Sequence, residues 1–474
     1  MSFMLGLDFS LTLLLIFCIT AALAFEFING FHDTANAVAT VIYTHSLKPG
    51  MAVFWSGIWN FIGVNVGGIA VAIGIINLLP VEALTDGNIH HNLALVMALI
   101  FTAIVWNIGT WYLGIPCSSS HTLIGSIAGV SIGFMLLPNN HDVLLNWGKV
   151  KDAGLSLLIS PVIGFALAIF LMFVLQRAVK NKTLFKEAPA KKPPPVWVRS
   201  ILIITSTFVS FSHGSNDGQK GVGLLMIILI AIVPARFALD HSRNPVELKS
   251  EAESLKTLLS RLDRQKLQAS SQVYYDEISA SIDSINSMFT GISTFSELSK
   301  AECAQTRKQI LVLSKRSGSF ISRLEEQRAV SIIISWKKDY HKHLTAIRSF
   351  TEYSPWWVIF MISLSLGLGT MIGWKRIVVT LGEKIGKTHL TYAQGATANL
   401  IAATTISASS YFGLPVSTTH VLSSGIAGTM VSGNGLKNLQ IKTLTAIGIA
   451  WLVTIPVTML FSGLLFLLFR LILS

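Results

Sequence analysis

Six hydroxyl side chains stand in two triplets in this chain, Ser118–Ser119–Ser120 and Ser417–Thr418–Thr419. Each triplet follows a proline by two residues, Pro116 or Pro415, and is followed at once by a histidine, His121 or His420. The surrounding stretches, 114–129 and 413–428, are identical at eight of sixteen positions and lie 299 residues apart. Proline keeps a helix from running through the residues before it, so Ser118 and Ser417 are expected as N-caps of helices that begin there. A helix start offers unpaired backbone N–H groups and the positive end of a dipole, which suits an anion. Added hydroxyls can replace the water shell of a tetrahedral oxyanion and still let it leave. The competing reading is that Ser and Thr in apolar helices bond back to their own backbone.

A second, looser pair supplies carboxylates. Residues 29–40 (NGFHDTANAVAT) align with 213–224 (HGSNDGQKGVGL), setting Asp33 opposite Asp217 at an offset of 184 residues. Ionisable groups at membrane depth are costly and persist as cation ligands, proton carriers or members of polar networks. Asp33, Asp217, Glu26 and His213 are therefore the candidates for cation or proton coupling. Asn36 and Asn216 join the six hydroxyls as candidate anion ligands. Lys220 could neutralise Asp217 as a structural pair, and His121 and His420 could donate to the anion, carry protons or pack helices. Cys18, Cys117 and Cys303 are too few and scattered for a disulfide framework or thiolate metal site. No resident metal or cofactor is expected.

The elements that must position these groups lie in a membrane. Half of the 474 residues are hydrophobic (51%), only 13% are charged and the mean hydropathy is +0.60, where a soluble domain would carry about twice that charge fraction. Apolar runs of bilayer-spanning length recur. They begin with residues 9–28, which lack the flanks of a cleavable signal peptide, and include 196–211 and 218–235 as separate runs. About ten crossings are expected. The net charge of +12 gathers in loops, at 177–199 and 236–354, which is a topology signal and no sign of nucleic-acid binding.

Five segments follow: a first membrane repeat (1–178), a basic Pro-rich linker (179–195), the start of a second repeat (196–235), a soluble helical insertion (236–354) and the rest of the second repeat (355–474). The insertion has 14 acidic and 18 basic residues with apolar positions at helical spacing. The two repeat offsets differ by 115 residues, the length of 236–350. Five elements per copy, an odd number, would invert the second copy relative to the first. The fold expected is thus an all-α polytopic membrane protein of two inverted-topology repeats with broken helices or hairpins, plus the insertion. The basic stretch 374–387 is expected along the membrane interface.

The Asp motifs and both Pro-[CV]-Ser-[ST]-[ST]-His motifs resemble the inorganic phosphate transporter (PiT) family, over about 9–236 and 353–474, and are most similar to bacterial low-affinity phosphate:proton symporters. The resemblance implies that Asp33, Asn36, Asp217, Ser118–Ser120 and Ser417–Thr419 bind phosphate and the coupling cation, with His213 linked to transport. It implies a homodimer in the bacterial cytoplasmic (inner) membrane; the positive-inside rule puts the basic insertion, which lies outside the resemblance, in the cytoplasm. It also admits a divalent metal–phosphate complex as substrate. The first Asp motif reads GFHDTANA where the family usually has G-A-N-D-V-A-N-A. At Asn60 and Asn399, sodium-coupled animal members carry Glu, so proton coupling is expected here over sodium. Sulfate or another oxyanion is an alternative cargo. An intramembrane hydrolase using Ser with His or Asp is a remote alternative, since the chain shows no convincing G-x-S-x-G elbow and a single nucleophile needs no duplicate; no enzymatic activity is expected.

Overall fold

The computed structural model describes residues 7–84, 88–138, 147–189, 192–326 and 330–473. Among them there is no strand. The first half carries α1 (Phe9–Tyr43), α2 (Pro49–Val66), α3 (Ala70–Ile76), α4 (Val81–Leu84), α5 (Ile89–Tyr112), α6 (Ser119–Met135) and α7 (Trp147–Ala178). After the linker come α8 (Val196–His213), α9 (Gln219–Ile232), α10 (Pro234–Phe237), α11 (Pro245–Ser260), α12 (Ala269–Met288), α13 (Lys300–Glu326) and α14 (Val330–Arg348). The chain ends with α15 (Trp356–Thr370), α16 (Lys375–Glu383), α17 (Tyr392–Tyr411), α18 (Thr418–Asn434) and α19 (Ile441–Leu473).

Among the described residues, five helical runs are long and apolar enough to cross a membrane: α1, α5, α7, the run from Val196 to Ile232, and α19. The pair α2 and α3, bent by 74° at their junction, would make a sixth. This is fewer than the ten crossings expected from apolar runs. One reason is that 196–211 and 218–235 form a single helix, joined by a π-helical turn at Gly214–Gly218. A π turn absorbs an extra residue without breaking the helix, and such turns cluster at functional sites. Another is that α6 and α18 have 17 residues each and α15 only 15, too short for a full span. The first helix also runs past Ile28 to Tyr43, so Asp33 sits inside a helix.

The chain forms two compact units. The larger comprises residues 16–80, 94–226 and 354–474. In it, the short helix that follows each hydroxyl triplet packs on a long helix from the other end of the chain: α6 against α19 and α18 against α7. Small residues allow this close approach, as is usual in membranes, where burying apolar surface gains little. A Cβ added at Gly125 would fall onto Thr458 Oγ1, one at Gly129 onto the Met459 carbonyl, and one at Gly133 would lie 2.7 Å from the Phe466 ring. These glycines recur every four residues and form one face of α6.

The smaller unit comprises the described residues of 1–15, 81–93 and 227–353. Its helices α11 to α14 pack antiparallel neighbours around Leu248, Leu255, Ile282, Ile310, Phe320 and Tyr340. Asn244 caps α11 through Val246 N at 2.9 Å, with Pro245 in the first turn, as the Asn-Pro pair predicts. Arg307 is buried and donates to the carbonyls of Ala238 and Thr351 at 3.0 and 3.2 Å; burial pushes its guanidinium down to about 10.

The α6–α19 contact yields the first prediction. Gly129→Leu should destabilise the purified protein by about 1–3 kcal/mol, the usual range for overpacking, seen as a lower thermal-unfolding midpoint in detergent. Gly154→Ala on α7, where an added Cβ meets nothing within 4 Å, should leave the midpoint unchanged. Equal midpoints for both would show that α6 does not depend on this approach.

Candidate functional site

The two half-helix tips are built as the prolines predict. Ser118 and Ser417 have extended backbones and cap α6 and α18, each accepting the backbone N–H of the histidine three residues on at 3.2 Å. Back-bonding accounts for neighbouring hydroxyls: Thr122 donates to the Ser118 carbonyl, Ser126 to Thr122 and Ser423 to Thr419. The tip hydroxyls instead reach across the fold. Ser119 donates to Asp33 Oδ2 at 3.2 Å and Thr419 to Asp33 Oδ1 at 2.6 Å. Thr418 donates to Asp217 Oδ2 at 3.3 Å, and Ser120 to the Val416 carbonyl at 2.6 Å. Both triplets, 299 residues apart, thus close on the two aspartates. All these side chains are buried.

Cations complete the cluster. Lys220 Nζ lies 2.8 Å from Asp217 Oδ1 and donates to Ser120 Oγ at 2.5 Å. It is therefore the aspartate's charge partner and also a bridge to the first tip. One turn separates Lys220 from Asp217, and the π turn sets where the aspartate points. His213 Nε2 is 3.4 Å from Asp217 Oδ2 and 3.9 Å from Asp33 Oδ2. Ligand atoms of Asp33, His213 and Asp217 all lie within 4.8 Å of one another, close enough to share a cation. His32 Nδ1 approaches Asp33 Oδ1 at 3.3 Å, and its other nitrogen faces Thr110 Oγ1 at 3.4 Å.

Other expected site residues support the cluster from behind or stand aside. Asn60 Oδ1 meets His213 Nδ1 at 3.0 Å, fixing the ring so that Nε2 faces the carboxylates, and its amide donates to Thr370 Oγ1 at 2.9 Å. Asn399 bonds instead to Thr40 and Thr205. Asn216 secures the loop before the second tip: its amide donates to Ser410 Oγ and the Leu414 carbonyl, and its Oδ1 accepts Val416 N. Glu26 accepts Asn29 Nδ2 at 3.1 Å through Oε1, while its Oε2 and Asn29 Oδ1 are buried without hydrogen-bond partners among the described residues. A Cβ at Gly221 would strike that Oε2, so α9 approaches Glu26 only because residue 221 is glycine. The side chain of Asn36 lies outside the described residues.

The two motif histidines meet. The rings of His121 and His420 are 4.5 Å apart, and His420 stacks on Trp451 at 3.7 Å. His121 Nδ1 and His420 Nε2 are buried without hydrogen-bond partners among the described residues. Sequence reasoning assigned no role to Thr110, Thr370 or Trp451, because nothing local marks them; each lies in a plain apolar helix. Gln219 had a signal, its place beside Asp217. It accepts Val71 N at 2.7 Å and donates to the Gly67 carbonyl at 2.8 Å, satisfying the backbone freed by the bend between α2 and α3.

Residues 29–462 match the model of a family described as the phosphate transporter family. This chain belongs to that family. It is 38% identical to the low-affinity inorganic phosphate transporter PitA of Escherichia coli (strain K12) over 97% of each chain, and 39% identical to a low-affinity inorganic phosphate transporter of Buchnera aphidicola, also over 97% of each. A probable low-affinity inorganic phosphate transporter of Bacillus subtilis is 28% identical over 94% of each. A solved structure titled as the sodium-dependent phosphate transporter shares the fold, with a TM-score of 0.53 and 19% identity over 97% of this chain and 99% of that one. In this member of the family, the paired motifs are those that meet in the buried cluster.

The pairing of Lys220 with Asp217 can be checked on stability. Lys220→Ala would leave a buried carboxylate without its cation and should cost about 3–5 kcal/mol, read as a lowered unfolding midpoint. Removing both charges, in Asp217→Leu with Lys220→Met, should restore most of that loss. A single substitution with no effect on the midpoint would show that the pair does not hold this site.

Proposed function

We propose that this chain carries inorganic phosphate into the cell across a bacterial inner membrane, driven by protons, with phosphate moving alone or as a neutral complex with a divalent metal. One observation carries the reading. Hydroxyls from both half-helix tips converge on Asp33 and Asp217, beside Lys220 and His213. Those hydroxyls are donors that a phosphate would use, and here they serve carboxylates. Phosphate and carboxylate therefore compete for the same donors. A proton placed on Asp33 or Asp217 frees the hydroxyls and offsets the charge of the incoming anion, which couples the two movements. Lys220, the helix N-termini and the hydroxyls receive the phosphate without an arginine clamp, so release stays accessible.

The carrier reading also explains a buried polar cluster of this size. Burying groups that must then be satisfied is costly, and a carrier needs a site closed from both sides at one stage of its cycle. In this reading Glu26 is a further proton site, the insertion faces the cytoplasm and the protein works as a homodimer. Coupling to sodium is the second reading, favoured by the shared reach of Asp33, His213 and Asp217. The family resemblance read in the sequence, with Asn60 and Asn399 standing where sodium-coupled animal members carry Glu, argues for protons. A sulfate carrier would use the same donors.

Two measurements test this proposal in proteoliposomes. Replacing Ser119 and Ser120, or Thr418 and Thr419, with Ala should raise the phosphate KM at least several-fold, because a hydrogen bond to a charged group is worth about 1.5–3 kcal/mol. Wild-type uptake in both double variants would remove the tips from the site. Asp33→Asn or Asp217→Asn should abolish accumulation driven by a proton gradient while sparing some exchange between equilibrated compartments. Accumulation driven by sodium alone, at fixed pH and zero voltage, would establish the second reading instead.

A further inference from the structure

The linker between the two copies is not a free tether. Asn181 accepts Thr183 N at 3.1 Å and starts a short turn, Lys182–Phe185, and Glu187 then pairs with Thr391 in an antiparallel bridge. The turn is pressed against α17, and Phe185 becomes a wall shared by two cavities. On one side is a slot of about 220 Å³ lined by apolar side chains, among them Leu175, Val179, Trp197, Ile201 and Tyr392. On the other is a cavity of about 280 Å³ lined by Gln176, Lys182, Glu187, Thr388 and Thr391.

We propose that this pair of cavities binds one zwitterionic phospholipid of the phosphatidylethanolamine type, part of one of its two acyl chains in the apolar slot and its headgroup in the polar cavity. Three observations support this occupant. First, an amphipathic ligand is the kind that an apolar slot and a polar cavity divided by one ring can hold together. Second, the place is at the membrane surface. The slot is flanked by the ends of the apolar helices α7 and α8, and Trp197 is 51% exposed beside Tyr392, as aromatic residues are at the headgroup level. Third, the charged walls of the polar cavity are one cation, Lys182, and one carboxylate, Glu187, which match a phosphate and an ammonium. Lys182 Nζ donates to the Gln176 carbonyl at 2.7 Å and to that of Val179 at 3.4 Å, which leaves one of its three hydrogens for a phosphate oxygen. An anionic headgroup would face Glu187 with no ammonium to offer it. A lipid held there ties α7 of the first copy to α8 and α17 of the second, at the segment that joins the copies.

The test uses the full-length protein, stripped of lipid in detergent and then exchanged into nanodiscs of phosphatidylethanolamine, phosphatidylglycerol or phosphatidylcholine with the same acyl chains. Lipid retained after return to detergent is counted by native mass spectrometry. Phosphatidylethanolamine should be retained over phosphatidylglycerol by about tenfold, the scale of one lost charge contact in a partly buried site. Ala393→Trp, which fills the slot, should abolish retention of the lipid. Glu187→Gln, an exposed position that leaves folding intact, should erase the preference for the ethanolamine headgroup. Equal retention of all three lipids, a stronger hold on phosphatidylglycerol, or a preference untouched by Glu187→Gln would overturn the proposal.

Discussion

One carboxylate receives hydroxyls from both copies of a duplicated motif. Asp33 accepts Ser119 from the tip of α6 and Thr419 from the tip of α18, and much else in the larger unit follows from bringing these three together. Two helices must begin where their hydroxyls can reach the same aspartate, which is why each starts after a proline with a serine cap. Each of those short helices needs a long neighbour to hold it at that depth, and α19 and α7 provide one each across the copies. The glycine face of α6 allows that contact. Polar satisfaction at the centre and small residues around it are two parts of one constraint: a buried hydrogen-bonded cluster is tolerated only if every element around it is fixed.

The second aspartate shows how a similar motif is used differently. Asp217 lies in a π turn, where Asp33 lies in the long helix α1, and its partner Lys220 stands where the first copy has Asn36. The copies therefore supply the same hydroxyls but different charges. The cluster has one aspartate paired with a lysine and one served by histidines and hydroxyls, an asymmetry that a pure duplication would lack. Asn60 adds to it, since it orients His213, while Asn399 bonds to Thr40 and Thr205.

The family match covers most of the chain, and relatives such as those of E. coli and Buchnera align across nearly their full length. The insertion is thus part of the aligned length in those relatives. In this chain it has its own core and its own capped helices, and the charges that make the whole protein basic are concentrated in it and in the linker.

Much of the candidate cluster was legible in the sequence because duplication makes a weak signal specific. A single Ser-Ser-Ser stretch says little, but two triplets with the same proline and histidine spacing predict two capped half-helices, and the caps at Ser118 and Ser417 are there. The all-helical membrane class was legible from hydropathy, and the start of α11 from Asn244-Pro245, since caps and apolar periodicity are local. The tertiary structure alone decided which hydroxyl serves which carboxylate, because Ser119 and Thr419, 86 and 386 residues along the chain from Asp33, come within its reach only after their helices have packed. It also decided that 196–232 is one helix: a polar Gly-Ser-Asn-Asp-Gly run reads as a break, whereas a π turn keeps its backbone bonded. The roles of Thr110, Thr370 and Trp451 were invisible for the same reason. A residue in an apolar helix is marked only by its neighbours in space, and those are set by packing.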